Sequence, residues 1–213
     1  MSQRFVLALL ALALVGWWYS PLSPRVPAVA AHAAGEVPRC PLPPRAVPGE
    51  PPLQSDVPAD LAPFRLRVAT LTPLAGFSVD ARVLSREDYH FGRESDLSPT
   101  DLALGWGRMR DDAVLARLDV SQSSRWYHYA WRGEPPLPLD EIVRSSANMH
   151  MIPANAHVAA ALHRVRSNGG VRIDGWLVEA DAPDGWRWRS SLTREDSGGG
   201  ACEVVYVCAL TPQ

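Results

Sequence analysis

Cys202, His150 and Asn148 are the residues whose types suit covalent chemistry. A thiol becomes a nucleophile when a histidine takes its proton, and an amide or carboxylate behind the imidazole holds it in the working tautomer. Cys202 follows the flexible run "SGGGA", which can present a thiol, and His150 lies 52 residues earlier, with Asn148 or Asp196 to orient it. That set belongs to an envelope hydrolase or transpeptidase. It departs from two exported Cys-His types: no Arg follows the cysteine, as sortases require, and the "HGC" tripeptide of L,D-transpeptidases is missing. The alternative makes Cys202 a small buried hydrophobe or a bridge partner of Cys40. His150 then sits in a satisfied interior, donating to a backbone carbonyl, and this is the favoured assignment for its ring.

A second candidate is a binding face. Taking Asp184-Gly185 as a two-residue hairpin turn pairs Leu177 with Leu192. Val171, Ile173, Leu177, Trp188 and Leu192 then form the core side. Arg172, Trp176, Arg187 and Arg189 share the other side, an Arg-rich surface with one stacking platform for a glycan or anionic polymer. It competes with an ordinary solvated face in which Trp176 tucks under the neighbouring helix. Arg93, Glu94, Asp96 and Asp101 cluster in "RESDLSPTD", as helix-capping charges that pair with one another or, alternatively, as a ligand site.

Other chemistries find little support. The histidines show no HxH, HxxxH or HExxH spacing and the cysteines no CxxC, so no metal site is expected; no phosphate loop, dinucleotide fingerprint or GxSxG implies a cofactor or an activated serine. A net charge of −2 argues against nucleic acid as a partner. All 21 basic residues are Arg.

The elements that must carry these residues begin after an unusual N-terminal third. Arg4 precedes an apolar run, Phe5 to Tyr19, closed by Trp17, Trp18 and Tyr19. Such a run is short for a bilayer core of ~30 Å. It fits either an uncleaved N-in anchor with an interfacial aromatic belt or a cleaved signal peptide. The small-residue sites Ala28-Val29-Ala30 and Ala31-His32-Ala33 lie far beyond it. Either way the body is expected in the periplasm, held at the bacterial inner membrane or secreted. Residues 1–19 are thus the anchor or signal, and 20–63 a proline-rich linker holding 12 of the 20 prolines, a semi-rigid spacer. Residues 64–213 form one domain.

Within that domain "FRLRVAT", "FSVDARVL", "RWYHYAWR", "VRIDGWLVEA", "WRWRSSLT" and "CEVVYVCAL" read as strands. "SPTDLALGW" carries a helix-start signature, and "RDDAVLARL" and "LDEIVRSS" read as short helices. Asn155 caps the clearest helix, with Val158, Ala159, Leu162 and Val165 on its apolar stripe and Gly169 at its left-handed end. In "SSANMHMIPAN", Pro153 keeps Ile152 extended; Met149 and Met151 lie on one side, Asn148 and His150 on the other. The expected fold is α+β: a curled antiparallel sheet or a partly open OB-like β-barrel of about six strands with a few short helices, preceded by the membrane helix. Cys202 and Cys208, on one strand, stand about 20 Å apart and cannot bridge each other; a bridge from Cys40 stays open.

The strings "DLALGWGRM", "RWYHYAW", "SSANMHMIP" and "SSLTREDSGGGACE" together resemble a group of proteobacterial proteins with an N-terminal membrane anchor and no assigned activity. The resemblance covers most of 64–209. It implies a location and one continuous domain, and it transfers no catalytic residue. The function expected is that of a membrane-anchored envelope protein, a binding or structural module whose partner is an envelope protein or a glycan.

Overall fold

Strand β3, Thr70–Asp88, is 19 residues long and borders more of the sheet than any other strand. In the computed structural model, which describes residues 3–18, 29–30 and 40–213, short β1 (Leu53–Ser55) and β2 (Phe64–Arg65) both pair with it antiparallel. After β3 come α2 (Arg93–Leu97), β4 (Thr100–Gly105), a 3-10 turn at Gly107–Arg110 and α3 (Asp112–Leu115). The hairpin β5 (Asp119–Ser123) and β6 (Trp126–Ala130) forms a separate two-stranded sheet. Then follow α4 (Leu139–Arg144), β7 (Ser146–Pro153), α5 (Ala156–Arg164), β8 (Gly170–Asp181), β9 (Arg187–Arg189) and β10 (Glu203–Pro212). The fold is α+β, with an eight-stranded mixed sheet.

Five strands pair in a cycle: β3 with β4, β4 with β7, β7 with β10, β10 with β8, and β8 with β3. Only β7 and β10 run parallel. β3 serves two partners by dividing its length. Thr70–Arg82 pairs with β8 and Arg82–Asp88 with β4, with register shifts at Pro73/Ala75 and Val83/Ser85; such bulges bend a strand. Alternate residues of all five strands, including Phe77, Val79, Leu102, Leu104, Met149, Met151, Ile173, Leu177, Val205 and Val207, meet in one buried cluster. Helix α5 adds Val158, Ala161 and Leu162 to it, and Asn155 Oδ1 accepts from Val158 N–H at 3.0 Å, the expected cap. Asn168, at φ 67°, rather than Gly169, takes the left-handed turn after α5.

Residues 98–105 correct the helix expected from "SPTDLALGW". Ser98 ends α2, and Thr100–Gly105 is strand β4, buried along its whole length. Leu102 and Leu104 enter the cluster above while Ala103 enters a different one with Met109 and Ile142. The period of two follows from neighbours on both edges, which outweigh the local capping signal.

Residues 40–63 of the expected linker are also not a free spacer. Cys40 and Cys208 form a disulfide with Cα atoms 5.3 Å apart. Arg45 pairs with buried Asp174 at 3.2 Å, Ala46 N–H donates to Ser78 Oγ at 2.9 Å, and Leu53–Ser55 is strand β1. A Cβ on Gly76 would lie 2.2 Å from Ser55 Oγ and 2.9 Å from Pro43 Cβ, so glycine lets this strap lie flat on β3. The apolar N-terminal segment is helix α1, Gln3–Trp18. No helix among the described residues is long and apolar enough to cross a membrane. Tyr19, Ala28, residues 31–33 and the rest of the linker's first half lie outside the described residues.

The bridge spans 168 residues of sequence and so restricts the unfolded chain strongly. Replacing both Cys40 and Cys208 by Ala should lower stability by about 2–4 kcal/mol in denaturant titrations. An unchanged midpoint would mean that the strap is held by its other contacts alone.

Candidate functional site

The stretch Ser146–Pro153 is a central strand, buried on both sides. Alternation sends Met149 and Met151 into the main cluster and leaves Asn148 and His150 on the outer face. The β4–β7 register sets Asp101 directly opposite His150. Asp101 is fully buried, and His150 is 2% exposed.

Three groups converge on the Asp101 carboxylate. Arg125 Nη1 approaches Oδ1 at 2.7 Å, His150 Nδ1 lies 2.9 Å from the same oxygen, and Asn148 Nδ2 donates to Oδ2 at 3.4 Å. The imidazole is close, but its Nδ1 makes no aligned hydrogen bond to the oxygen. Arg125 arrives from the two-residue turn of the β5–β6 hairpin, where Ser124 and Arg125 have φ of 51° and 70°. Positive φ at both central positions is the type I′ pattern, normally supplied by Asn-Gly. Arg125 N–H also donates to Tyr89 Oη at 2.9 Å, and its guanidinium lies 3.8 Å from the Tyr89 ring centre and 5.7 Å from that of Trp188. Burial, with the Asp101 charge, pushes Tyr89 up to about 12, so it stays a neutral phenol. Trp188 packs on His150 with ring centres 4.6 Å apart.

The structure brings Asn148 to Cys202, with Nδ2 4.0 Å from Sγ. His150 sits one strand repeat further, opposite Val204, and no hydrogen bond among the described residues joins it to the thiol. Burial raises the Cys202 pKa first; the Asn148 contact pulls it down, and the Asp101 and Asp196 charges push it up again. An activated thiol needs the reverse, a positive neighbourhood that favours thiolate. His150 meets a carboxylate instead of the expected backbone carbonyl.

Beside Asn148 and Cys202 opens a cavity of about 120 Å³, lined by Trp126, Tyr127 and Tyr129 of β6, Ser146 and Asn148 of β7, and Arg194, Asp196, Gly198 and Ala201 of the connection before β10. Tyr127 Oη donates to Ser146 Oγ at 3.4 Å, and burial pushes its phenol up to about 12. Arg194 contacts the carboxylate of Glu203, which is fully buried. Asp196 Oδ2 accepts from Ser191 Oγ at 2.5 Å.

The Arg/Trp face is not assembled. β8 and β9 pair Asp181 with Arg187, Ala180 with Trp188 and Glu179 with Arg189, one residue out of the expected register. A slip of one exchanges the faces of a strand: Trp188 turns to His150, not to the core beside Leu177. Trp176 is 2% exposed under the strap, its Nε1 donating to Pro41 O at 2.9 Å. A buried ring is no stacking platform. Arg172 is bound to Asp80 at 3.3 Å and Ala46 O at 3.1 Å. Arg187 reaches Asp181 at 2.8 Å and Glu179 at 3.1 Å, and Arg189 pairs with Glu179. Arg93 pairs with Asp184 at 2.5 Å, away from Asp101. Among the described residues, no three His, Cys, Asp or Glu side chains are grouped to hold a metal ion.

Asp101, Arg125, Tyr89, Trp188 and the tyrosines of β6 are the site residues that sequence patterns miss. The one local signal was the Ser124-Arg125 pair between two alternating strands. Comparison with known protein families, curated proteins and solved structures gave no match in any of the three.

Removing a carboxylate that carries a part-buried guanidinium leaves that charge uncompensated. Asp101→Ala should therefore cost about 3 kcal/mol in denaturant unfolding; a loss under about 1 kcal/mol would mean the cluster relaxes into water. The raised Cys202 pKa means less thiolate at pH 8 than for a free cysteine. Iodoacetamide should modify the folded protein at Cys202 more slowly than the unfolded one, and equal rates would contradict the assignment.

Proposed function

We propose that this chain is an exported cell-envelope protein whose OB-like barrel binds a ligand in the cavity beside Asn148 and Cys202. The observation that carries the reading is the position of that cavity. In chain order, the strands of the closed cycle are β3, β4, β7, β8 and β10. The cavity borders the third of them and the connection between the last two. OB-type barrels bind their ligands on the second and third strands and at the loops after the first and fourth. Arg125 and Asn148 on the Asp101 carboxylate, with the His150 ring packed beside it, stiffen the floor.

Export rests on two features. A long-range disulfide, Cys40–Cys208, belongs to oxidising compartments. Helix α1 carries Arg4 in its first turn ahead of an apolar run, as at an N-in membrane segment or signal peptide. The inner membrane, with the domain in the periplasm, is the proposed place, and an envelope protein or glycan the proposed source of the ligand. The role is binding: the thiol next to the cavity is neighboured by an amide and two carboxylates and lacks a base aligned to activate it.

A fragment screen by NMR tests this. With the domain ¹⁵N-labelled, a library of a few hundred small polar and aromatic compounds should give hits whose shifts cluster on Asn148, Gly198, Ala201 and Cys202. Hits scattered over the surface, with none at these amides, would refute the pocket as the binding site.

A further inference from the structure

The cavity's lining also selects for charge, and building on the ligand pocket just proposed, we infer that it takes a quaternary ammonium head. One wall is aromatic: the Tyr127 and Tyr129 rings stand 5.4 Å apart, tilted 44°, with Trp126 at the rim. An aromatic wall attracts a cation through the negative faces of its rings.

The fixed charges point the same way. Of the charged groups lining the cavity, Arg194 is paired with the fully buried Glu203 behind it, while Asp196 accepts from the neutral Ser191 hydroxyl. With the Arg194 charge balanced by Glu203, the Asp196 carboxylate leaves the cavity region a net negative charge. The Asp101 carboxylate lies just beyond with its own Arg125. The raised pKa of Cys202, in which the Asp101 and Asp196 charges both take part, reports the same field at a neighbouring atom.

Hydrogen-bonding capacity separates one kind of cation from another. Asn148 uses Nδ2 on Arg125 O at 3.0 Å and Asp101, and its Oδ1 accepts from Gln122 Nε2 at 2.6 Å. Ser146 Oγ donates to Ile142 O at 2.7 Å. An anion would find Arg194 already engaged with Glu203. A primary ammonium carries three N–H donors and needs an acceptor for each, and the lining has few to spare. A methylated ammonium donates nothing and needs only aromatic faces and a nearby carboxylate. The volume of about 120 Å³ holds about four waters at ~30 Å³ each, the scale of a trimethylammonium group.

The test is NMR titration of the labelled protein with four probes: choline, its size-matched uncharged carbon isostere 3,3-dimethyl-1-butanol, and the smaller ethanolamine and acetate. Choline should shift the Asn148, Gly198 and Cys202 amides and bind about tenfold more tightly than the isostere, the factor expected of a partly desolvated cation–π contact. Ethanolamine should be weaker than choline, and acetate should leave these amides unmoved. Tyr129→Leu and Asp196→Asn should each weaken choline several-fold, while Glu195→Gln on the same exposed loop should not. Equal affinity for choline and the isostere, or binding of acetate, overturns the cation assignment and leaves the pocket standing. Tighter ethanolamine moves the ligand to primary amines and overturns the quaternary assignment. If no probe and no fragment shifts these amides, the pocket itself falls.

Discussion

On a strand buried on both faces a polar side chain forfeits water, and costs about 1–3 kcal/mol when nothing replaces it. β7 is in that position, with neighbours β4 and β10 on its edges, the main cluster on one side and Asn148 and His150 on the other. Much of the outer architecture follows from satisfying those two residues. Asp101 is supplied by β4 at the matching register. Its charge requires a cation, and Arg125 reaches it from a hairpin turn in a backbone conformation that non-glycine residues seldom adopt. The hairpin then covers the outer face of β4 and β7, and its tyrosines become a wall of the cavity. The cavity is thus a by-product of how the polar side chains of one strand are partnered.

The second buried polar layer is on the other flank, where Asp80 and Asp174 are nearly inaccessible. Burial alone would raise the Asp80 carboxyl; the hydrogen bonds from Arg110 and Gln213 and the nearby Arg172 charge outweigh it and hold the group below its ordinary value. A carboxylate with a depressed pKa stabilises the fold above its unfolded pKa, and that contribution fades as pH falls through the folded one. The strap from Cys40 roofs this layer with Arg45 and Ala46. Its prolines suit the task, since a segment that presents few N–H donors can lie on a sheet without leaving donors unpaired.

What the sequence disclosed was local. Alternation in "FSVDARVL", "VRIDGWLVEA" and "CEVVYVCAL" located three strands of the cycle, and Asn155 announced the cap of α5. Its failures were all questions of register between distant segments. The Ser98-Pro99 signature read as a helix start because nothing in nine residues reveals that Leu102 and Leu104 will be flanked by β3 and β7. Asp184-Gly185 was correctly placed in a turn, yet the hairpin closes with one more residue than the two-residue type, and that single step moved Trp188 from the core to His150. Asp101 and His150 are 49 residues apart and meet only through the β4–β7 ladder. Composition marked 20–63 as a spacer, but residues 40–63, tethered by a disulfide, form part of the sheet's cover.

The parallel pairing of β7 with β10 has a consequence for the order of assembly. β10 is the last sheet strand in the sequence, yet it lies between β7 and β8 and touches both along its length. As the chain emerges, those two strands must wait with an unpaired edge each, a template for pairing with the wrong partner. The cycle closes, and Cys208 comes to Cys40, only when residues 203–212 arrive. Contacts this distant in sequence make folding slow. The molecule therefore passes through a vulnerable interval in which its hydrophobic interior is made but not yet sealed, and those edges must stay apart until the final strand is delivered.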